Sequence, residues 1–170
     1  MKFKDILPVI ILLCFIGLLF ASLNEVNKPV NKVNIESDLS KLSLNSIYSG
    51  NKIQFPIGSK YIVVIFSSWC KSCKFENRQL LEFSKLFPTI PIYGLLWMDS
   101  ISNGKKFLET FGSPYQDVAG LPDMDAIELG ATGIPEIIIV GSKNKSILHI
   151  RGETSAKKLA YMIQELKEND

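Results

Sequence analysis

Residues 61–66 form an unbroken apolar run, Tyr-Ile-Val-Val-Ile-Phe, and after Ser67, Ser68 and Trp69 the chain reads Cys70-Lys71-Ser72-Cys73. A continuous run rich in β-branched and aromatic side chains is the pattern of a strand buried on both faces. From Lys71 the apolar spacing turns helical, and Pro88 ends it. The two thiols therefore sit at a strand-to-helix junction, where dithiol and disulfide interconvert with little movement of the chain. A helix N-terminus favours the anion of the first thiol, and Lys71 adds positive charge beside it. That placement points to redox chemistry, with Cys70 the more exposed attacking sulfur and Cys73, one turn later, the buried resolving one.

The remaining elements follow from the same patterns. Residues 91–98 read as a second buried strand and 103–111 as a short helix with Asn103 at its N-cap and Gly112 as its stop. Residues 115–119 read as a brief strand, and 123–129 as one or two helical turns closed by Gly130. Residues 136–140 form a third core strand that turns through 141–144 into an antiparallel partner at 146–150. Ala156, Leu159, Ala160, Ile163 and Leu166 make the stripe of a final helix that starts near Thr154. Strand, helix, strand, helix, then hairpin and helix is the order of a thioredoxin-like α/β domain over residues 46–170, with a mixed central sheet and helices on both faces.

Ahead of that domain, residues 6–23 carry no charged side chain. As a helix they extend about 27 Å, close to the roughly 30 Å of a bilayer core, so residues 1–23 read as one N-terminal transmembrane anchor. A cleaved signal is the alternative, but the residues before Ala21 and Ser22 are bulky where a small side chain is wanted. Lys2 and Lys4 favour a cytoplasmic N-terminus. The expected location is therefore the inner (cytoplasmic) membrane, single-pass, with the soluble domain in the periplasm, where disulfides persist. Residues 24–45, rich in Asn, Lys and Ser, read as a polar tether with room for one short element near its end. Cys14, inside the apolar segment, reads as a lipid-facing or helix-packing residue. A formal net charge of +2 without a basic stripe argues against a nucleic-acid partner.

Other uses of the cysteine pair fit less well. A zinc site lacks a second pair, and His149 is the only histidine. Covalent haem attachment needs a histidine where Lys74 stands. His149 lies in an apolar strand and reads as a packed or solvent-facing side chain. No cofactor is expected beyond the redox-active Cys70–Cys73 disulfide itself. Thr132-Gly133-Ile134-Pro135-Glu136 places a proline just before a buried strand, where thioredoxin-like proteins carry a cis proline beside the thiols. Such a turn would expose the backbone of Ile134 to pair with an extended client segment. Trp69, Ile134, Pro135 and Glu136 are the expected substrate groove, with Glu136 alternatively only capping the strand. Glu76, three residues after Cys73 on one helix face, is the candidate proton relay, the alternative being a plain solvated helix glutamate.

These residues resemble the DsbE (CcmG) family, the membrane-anchored thiol:disulfide oxidoreductases of cytochrome c biogenesis. Residues 67–73 match the family's Ala-Ser-Trp-Cys-x-x-Cys, with Glu76 at its acidic position. Pro91-Ile92-Tyr93-Gly94-Leu95 is similar to its Val-Pro-Val-Tyr-Gly-Leu strand. Gly112-Ser113-Pro114-Tyr115 and Gly130-Ala131-Thr132-Gly133-Ile134-Pro135-Glu136 match two further turns. The resemblance implies a protein-disulfide reductase that takes electrons from a membrane thiol reductant. Its client would be apocytochrome c or a haem-assembly thiol protein. Thr132 in place of an aromatic, Lys71-Ser72 in place of Pro-Thr, and Asn77-Arg78 in place of a residue-proline pair depart from the family pattern. Two readings stay open beside it: a general extracytoplasmic thioredoxin or disulfide oxidase, and a metal-binding or docking module on the same fold.

Overall fold

Strand β2 (Tyr61–Phe66) is buried at all six positions and lies at the centre of the sheet in the computed structural model, which describes residues 11–18, 32–33 and 37–167. Beside it β3 (Ile92–Trp97) runs parallel and β5 (Glu136–Val140) antiparallel. β4 (Asp117–Leu121) continues the parallel half. β6 (Ser146–Arg151) and the short β1 (Lys32–Val33) continue the antiparallel half, giving the order β1-β6-β5-β2-β3-β4.

Alternation along β2 assigns the two faces. Tyr61, Val63 and Ile65 pack with Tyr93, Leu95, Ile138 and Val140, with Ala126 of helix α3 (Asp123–Glu128), and with Leu129 just beyond it. Phe66 faces the other way, onto Phe107 and Leu108 of α2 (Ile101–Phe111) and onto Cys70 and Cys73 at the start of α1 (Lys71–Leu86). α1 in turn packs on α4 (Ala156–Lys167), with Leu80, Phe83, Leu159 and Ile163 buried. Each such side chain is worth roughly 1.5–3 kcal/mol on leaving water. The junction after β2 is thus anchored on both faces of the sheet.

Several boundaries differ from the sequence reading; β4 runs two residues later than the expected 115–119. α2 begins two residues earlier than expected, so its N-cap is Ser100, whose hydroxyl accepts from Asn103 N at 3.1 Å. The last helix is capped by Ser155, which accepts from Lys158 N; the amide of Thr154 is taken by Glu76. The fold also reaches into residues read as tether. Lys32 and Val33 pair with β6, and Leu39, fully buried, sits in a single 3₁₀ turn (Leu39–Lys41) capped by Asp38. Isolated aliphatics in a polar stretch carry no periodicity, so only the packing exposes their role.

The β5–β6 pairing contains one irregularity. Val140 pairs with Ser146 but Ile139 pairs with Leu148, leaving Ile147 as an extra residue. Beyond it Ile138 lies opposite His149 and Glu136 opposite Arg151.

Residues 1–30 form a separate unit, of which 11–18 are described. They are helical, with Ile11, Leu12, Leu13, Phe15 and Leu18 exposed. Among the described residues no helix is long and apolar enough to cross a membrane. The rest of the expected 6–23 span lies outside the described residues.

Candidate active site

Cys70 is the N-cap of α1, with extended backbone, and its sulfur accepts from the amide of Cys73 at 3.0 Å. The two cysteines are disulfide-bonded, with Cα atoms 5.2 Å apart. Position, not chemistry, separates them: Cys70 is 8% exposed and Cys73 2%. Cys70 was expected to be exposed and is instead buried, though less completely than Cys73. The Cys73 amide points at the Cys70 sulfur at the start of the helix, the arrangement that stabilises a thiolate there.

The loop leading into the helix is pinned residue by residue to the end of β3. Ser67 Oγ donates to the carbonyl of Trp97, Ser68 N to Asp99 Oδ2 at 2.7 Å, and Trp69 Nε1 to the carbonyl of Met98 at 3.1 Å. Met98 adopts φ 54°, a backbone region unusual outside glycine. Burial pushes the Asp99 carboxyl up, but hydrogen bonds from Ser68, Asn103 and Ser100 outweigh it and hold the group below the ordinary carboxylate range. The sequence reading missed Met98 and Asp99. An Asp-Ser pair just ahead of a helical run was the available signal, since both residue types serve helix starts. With its N–H spent inward, Trp69 keeps 63% of its surface open beside Cys70.

Across from this loop, the Ile134–Pro135 bond is cis. Ile134 packs against the apolar cluster that contains Cys70 and Cys73, so the structure does bring the proline loop to the disulfide. Pro135 is buried, Ile134 half-buried and Thr132 exposed. Glu136 departs from expectation: at 1% exposure it does not line a groove. Its Oε1 accepts from Thr132 N at 2.9 Å and Thr132 Oγ1 at 2.8 Å, and its Oε2 lies 2.6 Å from His149 Nε2. Arg151 Nε stands 3.8 Å from Oε1. Burial raises its pKa, but hydrogen bonds from His149 and Thr132 outweigh that and leave it below the ordinary value. His149 is packed and paired, not solvent-facing.

Glu76 shares the buried face of α1 with Cys73. Its Oε2 accepts from Thr154 N at 2.7 Å, and its Oε1 has no hydrogen-bond partner. Burial, only partly opposed by the Thr154 bond and reinforced by Glu153, pushes its pKa up to about 8. At neutral pH the group is mostly protonated, and it can take a proton reversibly near physiological pH. Tyr115, named in the sequence reading only within a matched turn, has its pKa raised by burial and by the charge of Glu76.

The arrangement has counterparts of known kind. The chain is 27% identical over 168 residues to the thiol:disulfide interchange protein DsbE of Allochromatium vinosum, covering 96% of this chain and 92% of that one. With DsbE of Haemophilus influenzae it shares 31% over 129 residues, 74% of this chain and 65% of that one. Among solved structures, a thiol:disulfide interchange protein of the thioredoxin family from Chlorobium tepidum superposes with a TM-score of 0.64 at 19% identity. That match covers 81% of this chain and 97% of the other, and it establishes the thioredoxin-like fold. No family model matches the chain.

Proposed function

The chain is a DsbE-like thiol:disulfide interchange protein, and on that premise we propose that it reduces the haem-binding cysteines of apocytochrome c, or of a thiol protein that hands them on. The observation that carries this reading is the Cys70–Cys73 pair at the start of α1 with Ile134 packed against it: a sulfur to attack a client disulfide and a backbone segment to hold the client beside it.

The steps balance within the two cysteines. Cys70 as thiolate attacks one sulfur of the client disulfide; a Cys70–client bond forms, and the other client sulfur leaves as a thiolate and takes a proton. Cys73 then attacks the Cys70 sulfur, forming the intramolecular disulfide and releasing the second client thiolate. Two electrons pass to the client, and no further cofactor is needed. Glu76, in its ionised fraction, is the acceptor for the Cys73 proton in the second step. Restoring the dithiol requires a second dithiol, which we assign to a membrane thiol reductant.

The apolar segment over residues 6–23 would hold the domain at the inner membrane, on its periplasmic side. A Cys73→Ser chain tests the assignment. It should stop after the first step and accumulate a mixed disulfide between Cys70 and a Cys-x-x-Cys-His peptide supplied as its disulfide. Insulin should be captured far less. Equal capture of both would remove the cytochrome reading while leaving the interchange chemistry intact.

A further inference from the structure

We infer that His149, donating from Nε2 to Glu136, is a positioning residue for the 132–136 loop. The inference rests on the reading that this loop holds the client. Glu136 is the first residue after Pro135, and its Oε1 closes the loop on itself through the amide and hydroxyl of Thr132. Its second oxygen has one partner, His149 Nε2, at 2.6 Å, and both side chains are shut off from water.

The proton can be placed from geometry. An ionised carboxylate only accepts, and Nδ1 of His149 is buried with no hydrogen-bond partner. A neutral ring carrying its proton at Nδ1 would bury an unsatisfied donor and set a lone pair against the carboxylate. Nε2 therefore carries the shared proton. The end of β6 and the residue after it hold the neighbourhood of the loop at two more points: Arg151 Nη2 donates to the carbonyl of Gly130 at 3.2 Å, and Gly152 N to the carbonyl of Pro135 at 2.9 Å. His149 thus supplies one of three ties from residues 149–152 to the segment 130–136. A loop fixed before the client arrives loses less freedom on binding.

The test compares His149→Asn, whose amide stops short of Glu136, with His149→Gln, whose amide reaches the place of Nε2. Both are assayed as the full chain against a disulfide-bonded Cys-x-x-Cys-His peptide and against glutathione disulfide. His149→Asn should raise KM for the peptide by about tenfold, the scale of one lost bond to a charged group. It should leave kcat, the Cys70–Cys73 potential and the glutathione disulfide rate unchanged. His149→Gln should return KM to within about twofold of wild type. An unchanged KM in His149→Asn, or a Gln variant that behaves like Asn, would overturn the inference. If His149→Asn does not fold, the imidazole ¹⁵N spectrum of the wild type decides: Nε2 must be protonated, and a neutral ring with its proton on Nδ1 sinks the idea. A wild type that shows no preference for the peptide over glutathione disulfide removes the client reading itself and the inference with it.

Discussion

Glu76 and Glu136 are both 1% exposed, and each lies within three residues of Cys73 or directly after Pro135, yet the fold leaves them in opposite states. Glu76 has one amide donor, a second oxygen without a partner and Glu153 as a repelling neighbour. Glu136 has three hydrogen bonds and a nearby guanidinium. Burial acts against the charged form in both; the number of donors decides which side wins. The first is a place to put a proton, the second a strut that must stay charged.

The largest effect should come from removing the strut. Glu136→Ala leaves His149 and Thr132 without their acceptor and is expected to cost about 3–5 kcal/mol of folding stability, read from denaturant midpoints. A loss under about 1 kcal/mol would mean that the pair is held together by the surrounding strands and not the reverse.

Glu76 should reveal itself through pH. Its folded pKa is raised from 4.5 to about 8. Between those values the folded chain keeps a proton that the unfolded chain has given up, so stability falls as pH rises across that window. A tenfold difference in proton affinity between the two states corresponds to about 1.4 kcal/mol, so the total is on the order of a few kcal/mol. Glu76→Gln should abolish that slope and stabilise the protein at pH 9. Glu136, with its pKa depressed, contributes in the opposite sense: its stabilisation is present above the ordinary carboxylate value and is lost as pH falls through the lowered one. A Glu76→Gln chain that keeps the neutral-range slope would show that the two carboxylates do not differ as described.

The same substitution should slow release of the mixed disulfide on the order of 10²-fold, with the pH rise of that step removed. Rapid mixing of the reduced protein with a labelled disulfide peptide measures it. The smallest change is expected at Asp99, a half-buried carboxylate with several donors. Asp99→Asn should cost about 1 kcal/mol, because water can replace part of what is lost. A cost approaching that of Glu136→Ala would make donor count a poor guide.

The succession of strands and helices along the chain, the junction after Phe66 and the cysteine pair were legible in the sequence because each depends on residues close in the chain. Glu76 was legible as a helix neighbour of Cys73, though its missing second partner was not. The pairing of Glu136 with His149 was out of reach for a specific reason. Without the extra residue at Ile147, His149 would fall opposite Ile137 and face away from Glu136. A single inserted position that no local pattern announces put the two on one side of the sheet. The buried place of Leu39 was hidden for a related reason, since its contacts come from residues far along the chain.

Very little of either cysteine reaches the surface. Cys73 is almost sealed, so every electron that enters or leaves the pair must pass through the narrow opening at Cys70. Donor and recipient proteins cannot dock together; each has to vacate before the next arrives. Turnover should therefore follow ping-pong kinetics, with excess of either partner inhibiting the other by simple occupancy.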